Sequence, residues 1–502
     1  MENLSSFSSE VNTTTLIAFI AYLSIMVLVG IIATKFSSAG INNFFIGGRK
    51  MSKLVVAISS VVSGRSAWLL LGVTGMAYTM GISALWATFG YILAEFWLFF
   101  SYAPRIRRFS EKHDCITIPD FFAERFNDKS GVLRMVIVFI ILLFMIAYLS
   151  AQFVAGGKTF STSFPVTENT GLLITAGIIL LYTVLGGFLA VSLTDTIQGI
   201  IMSFALLALP ILAIINLGGI NEFWSLAKTA GDGSHTNIMA IGAGALIGFL
   251  GIGLGSAGNP HIVARYMSIN KTKNLKSVAF IGTITNILMA LGAVFTGLAG
   301  RIYFPEIAAL PDADPENIYP VMAAVKFHPI VFGIIISSIF AAIMSTADSQ
   351  LLVAASSAVR DIYQKLIKKD LEIPQKKLVN YSRITIIILV ILALLLGFIA
   401  KDLIFWLVLF AWAGLGAALG PTSILALFWK KTTKQGIIAG VITGAVTVII
   451  WNQVPALKSI VYELIPGFIF ATIATIVVSF ITASDIDYED KYNDCINENE
   501  EK

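Results

Sequence analysis

The stretch "SSVVSGRSAWLLLGVTG", Ser59 to Gly75, sets an arginine inside an otherwise apolar segment. Gly64 and Arg65 stand between Ser63 and Ser66, with apolar residues on both sides. A charge at membrane depth is costly and faces a protein interior or a cavity rather than lipid. A second segment has the same character. "GIGLGSAGNPHIVAR", Gly251 to Arg265, carries Gly251, Gly253, Gly255 and Gly258, followed by Pro260. That composition weakens a helix. Interrupted helices at matching places in two halves of a chain point to the binding site of a secondary transporter. Their freed carbonyls can coordinate a cation, and their half-helix N-termini can face a carboxylate. Glycines in membrane helices also permit close packing, which is the plainer reading of the second run.

Working outward, the chain is 57% hydrophobic and 13% charged. A soluble domain cannot hide that much apolar surface, whereas a bilayer accepts it. At roughly 20 apolar residues per crossing, about 13 candidate spans can be placed. They lie near 14–34, 52–79, 83–103, 131–162, 168–187, 191–217, 237–257, 275–300, 328–360, 380–399, 403–428, 434–451 and 458–483. The fold class expected is therefore an all-α polytopic membrane protein. Residues 1–484 form one transmembrane domain, with a first repeat over 52–217 and a second repeat and its remainder over 237–428. No cleavable signal is expected, because "MENLSSFSSEVNTTT" lacks a basic leading region.

Lysines and arginines concentrate in alternate loops: 35–53, 104–130, 265–276 and 360–383, with Lys430, Lys431 and Lys434 beyond them. The loop at 301–327 is instead acidic, with Glu306, Asp312, Asp314 and Glu316. By the positive-inside rule the N-terminus is expected outside and the C-terminus in the cytoplasm, in the plasma membrane. The tail over 485–502, "DIDYEDKYNDCINENEEK", is expected to be a disordered acidic segment and too short for a signalling domain.

Polar groups gather in "FAAIMSTADSQLLVAASS", Phe340 to Ser357. Ser345, Asp348 and Ser349 share a helical face there, and Thr346 and Gln350 flank them. Hydroxyls, a carboxylate and carbonyls suit a hard cation. Thr194, Asp195 and Gln198 lie near the start of the sixth span. For the hydroxyls the plain alternative is hydrogen bonding between helices. For Asp195 it is a carboxylate at the membrane edge. Asp348 is the stronger functional candidate, since carboxylates rarely lie deep without a role. His113 and His235 fall in loops and His261 and His328 at span ends, so no metal constellation forms. Neither do Cys115 and Cys495, and no HExxH, Walker A, GxSxG or CxxC pattern supports an enzyme. Nothing in the charge distribution points to nucleic acid.

At these motifs the sequence resembles the sodium:solute symporter family, and within it the bacterial sodium/proline symporters. The matching stretches include "FFIGGRKMS", "SAWLLLGVTG", "TIPDFFAERFNDKSGVLR", "LYTVLGGFLAVSLTDTIQ", "GNPHIVARYM", "AAIMSTADSQLLVAASS", "AWAGLGAALGP" and "YELIPGFIF". The resemblance implies a LeuT-like five-plus-five inverted-repeat core, with one helix before it and two after. It implies a symporter that imports a small amino acid, with proline as the expected substrate, sodium as coupling ion and no other cofactor. Sodium would bind carbonyls of Val62, Arg65 and Ala342 and hydroxyls of Ser345 and Thr346. A second sodium would map to Asp195, Ser345, Asp348 and Ser349. The substrate pocket would map to Gly64, Ser66, Trp68, Tyr148, Ile252, Ser256, Asn259 and Pro260. Proline symporters carry an essential aspartate where this chain has Gly64 and a methionine where it has Arg65. Their pocket has a tryptophan at the position of Ile252 and a tyrosine at that of Ser256.

Three roles are open for Arg65. It can line a hydrated vestibule. It can stand in for a sodium ion, in a sodium-independent or proton-coupled carrier. It can hold a substrate carboxylate bidentately. In the last two, Asp348 is the expected partner, with Asp195 as the other choice. The rival classes are a membrane sensor, which would want an attached output domain, and a channel, which two broken helices disfavour.

Overall fold

Backbone amides and carbonyls cannot stay unpaired in hydrocarbon, so a chain this apolar resolves into helices. The computed structural model describes residues 13–37, 40–326, 328–369, 372–399, 404–483 and 489–496. Helix α1 spans Thr13–Ser37. Next, α2 (Lys53–Ala67), a π-helical turn (Trp68–Val73) and α3 (Thr74–Met80) make one interrupted span. It is followed by α4 (Leu85–Trp97), α5 (Val132–Ser163) and the long α6 (Glu168–Asn216). A second interrupted span joins α7 (Ala243–Gly251) to α8 (Pro260–Ser268) through a bend of 54°. Then come α9 (Leu275–Tyr303), α10 (Pro329–Ser356), α11 (Gln375–Gly397), α12 (Ile404–Phe428), α13 (Lys434–Gln453), α14 (Leu464–Ile481) and α15 (Glu489–Ile496).

Among the described residues ten helices are long and apolar enough to cross a membrane, or up to eleven with the bent α7–α8 pair taken as one span. The sequence-based division into about 13 spans cuts Lys53–Lys112 in two and also counts the shorter apolar helix Glu168–Val184. The cuts fall near breaks in the backbone. Gly81 sits between α3 and α4 at φ +67°. Gly187 interrupts α6 at φ +61°, ψ −170°, a conformation essentially reserved for glycine.

Burial divides the helices into two kinds. Every residue from Ser59 to Tyr78 is buried, and so is every residue from Ile335 to Leu352 of α10. These two spans are enclosed by protein on all sides. By contrast, α11 exposes Ile384, Ile388, Ile391 and Leu395, which recur at helical spacing on one face. Similar stripes occur on α1 (Ile17, Ile20, Leu28) and α14 (Ile473, Val477, Phe480). An apolar belt of this extent marks a surface meant for lipid.

The basic end of the molecule is more structured than loop counting implies. Arg107, Arg125 and Arg265, counted as loop cations, are each at most 1% exposed. Arg107 Nε donates to the Ile269 carbonyl at 2.8 Å, and Arg125 Nε to that of Ala426 at 3.1 Å. Arg134 pairs with Asp120 at 2.5 Å and with Asp361, and Arg360 pairs with Asp120 at 3.1 Å. Burial alone would raise the Asp120 carboxyl, but the Arg360 and Arg134 guanidiniums hold it below the ordinary carboxylate range.

The acidic tail departs from the disorder expected of it. Glu489–Ile496 is a helix, docked on the basic end. Asp494 bonds Lys112 and, at 2.8 Å, the His113 ring, while Tyr492 donates to the Phe428 carbonyl at 3.1 Å. Cys495 is fully buried under it. Opposite charge on the loop explains the docking: the tail's acidity is matched, not merely solvated. Removing one half-exposed pair raises the population of the undocked helix by roughly 2- to 5-fold. Asp494→Asn is therefore expected to speed maleimide labelling of Cys495 by that factor in a Cys115→Ser background. An unchanged labelling rate would show the pair holds nothing.

Candidate functional site

Ser59 and Ser63 are one turn apart on α2 and face the same way. Both donate to Asp195 Oδ2 of α6, at 2.6 and 3.1 Å. Arg265 of α8 meets the same oxygen through Nη2 at 3.0 Å, and its Nε reaches Ser59 Oγ at 3.1 Å. Arg265 also bonds Ser349 Oγ of α10, and its Nη1 bonds the His261 carbonyl at 2.6 Å. Ser349 in turn donates to Asp348 Oδ1 at 3.0 Å, and Tyr182 donates to Asp348 Oδ2 at 2.9 Å. Asp195 is thus a fully buried helical residue and not a loop carboxylate. The residues read as a second sodium site do converge, but Arg265 supplies the positive charge there. Sequence reasoning passed over Arg265. The signal available was its place beyond Gly258 and Pro260, inside the same interrupted span.

Arg65 lies two residues after Ser63, roughly 200° around the helix, so it cannot share that face. Its Nη2 bonds Glu95 Oε2 of α4 at 3.1 Å, and its Nε bonds Asn286 Oδ1 of α9 at 2.8 Å. The guanidinium carbon lies 3.3 Å from the centre of the Tyr91 ring. The expected pairing of Arg65 with Asp348 or Asp195 is therefore corrected: its partner is Glu95. Helix geometry decides this, because Asp195 and Asp348 stand on the serine face. Sequence reasoning also missed Glu95, although a carboxylate in "GYILAEFWLFF" is as anomalous as Arg65 itself.

The break itself lies at Ser66, held at φ +50°, ψ −169°. A side chain there is strained, and its Oγ steadies the turn by accepting from Trp68 N at 3.1 Å. The chain N-terminal to the break presents carbonyls to α10. Ser345 Oγ stands 3.5 Å from the Val62 carbonyl and 3.2 Å from that of Ala342. Thr346 Oγ1 bonds the Ser63 carbonyl at 3.0 Å. Four of the five residues read as sodium ligands are hence gathered, with Ser63 added. The fifth is the Arg65 carbonyl, which accepts from the Trp68 amide across the break, while the Arg65 side chain turns toward Glu95 and Asn286. Hydroxyl and carbonyl oxygens are the donors a hard monovalent cation takes.

Of the residues read as a substrate pocket, Gly64, Ser66, Trp68, Tyr148, Ile252, Ser256, Asn259 and Pro260 are all buried. Trp68 Nε1, Asn259 Oδ1 and the nearby Gln152 Nε2 are buried without a hydrogen-bond partner among the described residues. Orphan polar atoms of this kind mark a place for a ligand or water. Aromatic rings from other helices stand beside Ile252 and Ser256. Trp412 of α12 donates to the Ile252 carbonyl at 2.8 Å, and Tyr91 reaches Ser256. Tyr91 and Trp412 pack 5.3 Å apart. His261, read as a span-end residue, is fully buried beside Tyr148, ring centres 6.0 Å apart.

Above this region a cavity of about 770 Å³ opens at the acidic end, lined by Met76, Phe249, Glu316, Phe405 and Tyr462 among others. Trp68 stacks on Phe405 at 5.9 Å below it. Toward the basic end, a cavity beside Pro260 and Met267 has only about 20 Å³.

Two interrupted spans around a buried polar site, beneath a cavity at the acidic end, define a secondary transporter of the LeuT-like fold and not an enzyme. The chain belongs to the sodium:solute symporter family, whose model matches residues 44–444. It is 39% identical over 467 residues to the osmoregulated proline transporter OpuE of Bacillus subtilis, covering 92% of this chain and 93% of that one. It is 37% identical over 489 residues to a sodium/proline symporter of Staphylococcus aureus, covering 94% of each. In fold it resembles a substrate-bound, outward-open Na+-coupled sialic acid symporter, at a TM-score of 0.81 and 19% identity over 94% of this chain and 99% of that one. MhsT bound to L-phenylalanine is more distant, at a TM-score of 0.52 and 14% identity over 87% of this chain and 99% of that one.

The glycine at position 64 has a local cause. A Cβ there would overlap the Tyr91 hydroxyl and press on Ile262. Gly64→Ala is expected to lower stability by about 1–3 kcal/mol, as overpacking does. Tyr91→Phe in the same chain should recover part of it. Thermal unfolding in detergent reads both, and equal losses with and without the hydroxyl would contradict the steric account.

Proposed function

We propose that this chain imports proline by sodium-coupled symport, with its N-terminus outside and its basic end in the cytoplasm. The observation that carries the reading is the oxygen cluster of Val62, Ser63, Ala342, Ser345 and Thr346 at the break of α2. It joins an interrupted helix to an enclosed one, so an ion held there would tie their positions together. Proline as substrate draws support from the names of the two relatives and from the orphan polar atoms beside Trp68, Gln152 and Asn259.

Arg65 does not enter this cluster. Its guanidinium is held by Glu95 and Asn286, which leaves the cluster to an ion from solution. This favours sodium coupling over the sodium-independent reading. The bidentate hold on a substrate carboxylate draws less support, since the Nε–Nη2 edge is already engaged and only Nη1 is left without a partner among the described residues.

In this mechanism sodium enters through the vestibule and favours the state with the substrate site accessible from outside. An ion shifts such an equilibrium only by binding one state more tightly than the other. Substrate then fills the space under Trp68, and the interrupted spans rock so that the basic end opens. The matching prediction concerns uptake of labelled proline into proteoliposomes. An inward sodium gradient should drive accumulation, and a proton gradient alone should not. Ser345→Ala and Thr346→Ala should each raise the sodium concentration for half-maximal uptake roughly tenfold, the effect of about 1.4 kcal/mol. Accumulation that is indifferent to sodium, or no proline uptake under any gradient, would sink the proposal.

A further inference from the structure

The group around Arg65 is built like a cation site. Glu95 of α4 and Asn286 of α9 are each 1% exposed, Tyr91 is 2% and Arg65 is 3%. Glu95 Oε2 accepts from Arg65 Nη2 at 3.1 Å and from Asn286 Nδ2 at 2.5 Å. Asn286 Oδ1 points at Arg65 Nε, and the face of the Tyr91 ring covers the guanidinium carbon. The Tyr91 hydroxyl meets the Gly64 carbonyl at 3.3 Å. A carboxylate, an amide oxygen and an aromatic face are all groups that attract a cation.

The way Arg65 fills this space matters. A guanidinium carries five donors in a fixed fork. Here Nη1 is buried without a hydrogen-bond partner among the described residues. A side chain selected for its hydrogen-bond fork would use both edges. What the surroundings use is the positive charge, delivered to one point between α2, α4 and α9.

We propose that Glu95, Asn286 and Tyr91 form a monovalent-cation site, distinct from the Ser345–Thr346 cluster, which the chain fills permanently with its own Arg65 guanidinium. The tethered charge never leaves, so the three helices stay joined in every state and no ion is taken up at this point. The inference stands apart from the proline assignment and holds whatever the substrate.

The test removes the tether and offers an ion in its place. Full-length Arg65→Ala is made in a Ser345→Ala background, which weakens the other cluster. Thermal unfolding in detergent is followed against NaCl, KCl and choline chloride at equal ionic strength. The expected result is a lower melting temperature in choline and a saturable rise of about 2–5 °C with sodium or potassium. The rise should exceed any shown by Ser345→Ala alone, and adding Glu95→Gln should remove the excess. A cation response equal to that of Ser345→Ala alone would overturn the proposal, as would one that survives Glu95→Gln. If Arg65→Ala folds in none of the three salts while Arg65→Ala/Glu95→Gln folds, the proposal also fails, because the carboxylate then accepts arginine alone. Proline uptake is not part of the readout, so failure here is separable from failure of the transport reading.

Discussion

A helix that stops in the middle of a membrane leaves carbonyls that water cannot reach. That constraint shapes most of this molecule. The carbonyls of Val62 and Ser63 are met by hydroxyls of Ser345 and Thr346, one helix away. An unpaired polar group in such surroundings costs several kcal/mol, on the order of 2–7 in transfer measurements. So α10 must run directly against the break, and it must be enclosed for its whole polar length. The same hydroxyls that settle the carbonyls form, with them, a buried cluster of oxygens.

The second consequence is that α2 separates two charge systems. Its serine face meets Asp195, whose charge is balanced by Arg265. Its opposite face meets Glu95, balanced by Arg65. Removing one partner of a buried pair typically costs about 3–5 kcal/mol, so each pair is hard to dissolve separately. Asp348 stands between them differently. Its oxygens take hydroxyls from Tyr182 and Ser349, and it reaches Arg265 only through Ser349. Its carboxyl is therefore met by neutral groups, where Asp195 and Glu95 each face a guanidinium.

Class, helical architecture and both interrupted spans were legible in the sequence, because bilayer length and glycine–proline breaks are local signals. The gathering of Ser345 and Thr346 on the break followed from resemblance. What stayed hidden was orientation around the helix. "SGRS" announces a charge but not the direction it points, and the partner Glu95 lies thirty residues away on a helix whose rotation no local pattern fixes. Arg265 was hidden for another reason. It follows the span end closely enough to be counted as a loop cation, yet the bend after Gly258 turns it inward. Glu489–Ile496 shows the reverse case, an acidic tail whose order depends on a basic surface formed by distant segments.

The two ends of the molecule are latched unequally, and this bears on which opens first. At the acidic end, Lys158 holds Asp314 and Glu316 at 2.5 and 2.9 Å. Glu316 also caps the start of α12 by accepting from the Ile404 and Phe405 amides at 3.1 and 2.8 Å, where the helix dipole favours a carboxylate. Lys158 keeps 15% of its side chain in reach of solvent, so this latch can exchange its bonds for water during motion. At the basic end two guanidiniums, Arg134 with 7% and Arg360 with 14% of the side chain exposed, hold Asp120 and the fully buried Asp361. Pairs that remain partly hydrated are weak and cheap to remake, whereas buried ones resist separation. The cavities differ as well: about 770 Å³ at the acidic end, against about 250 Å³ beside Arg360 and about 20 Å³ beside Pro260. Parting the basic end therefore has to be offset by interactions gained elsewhere in the molecule.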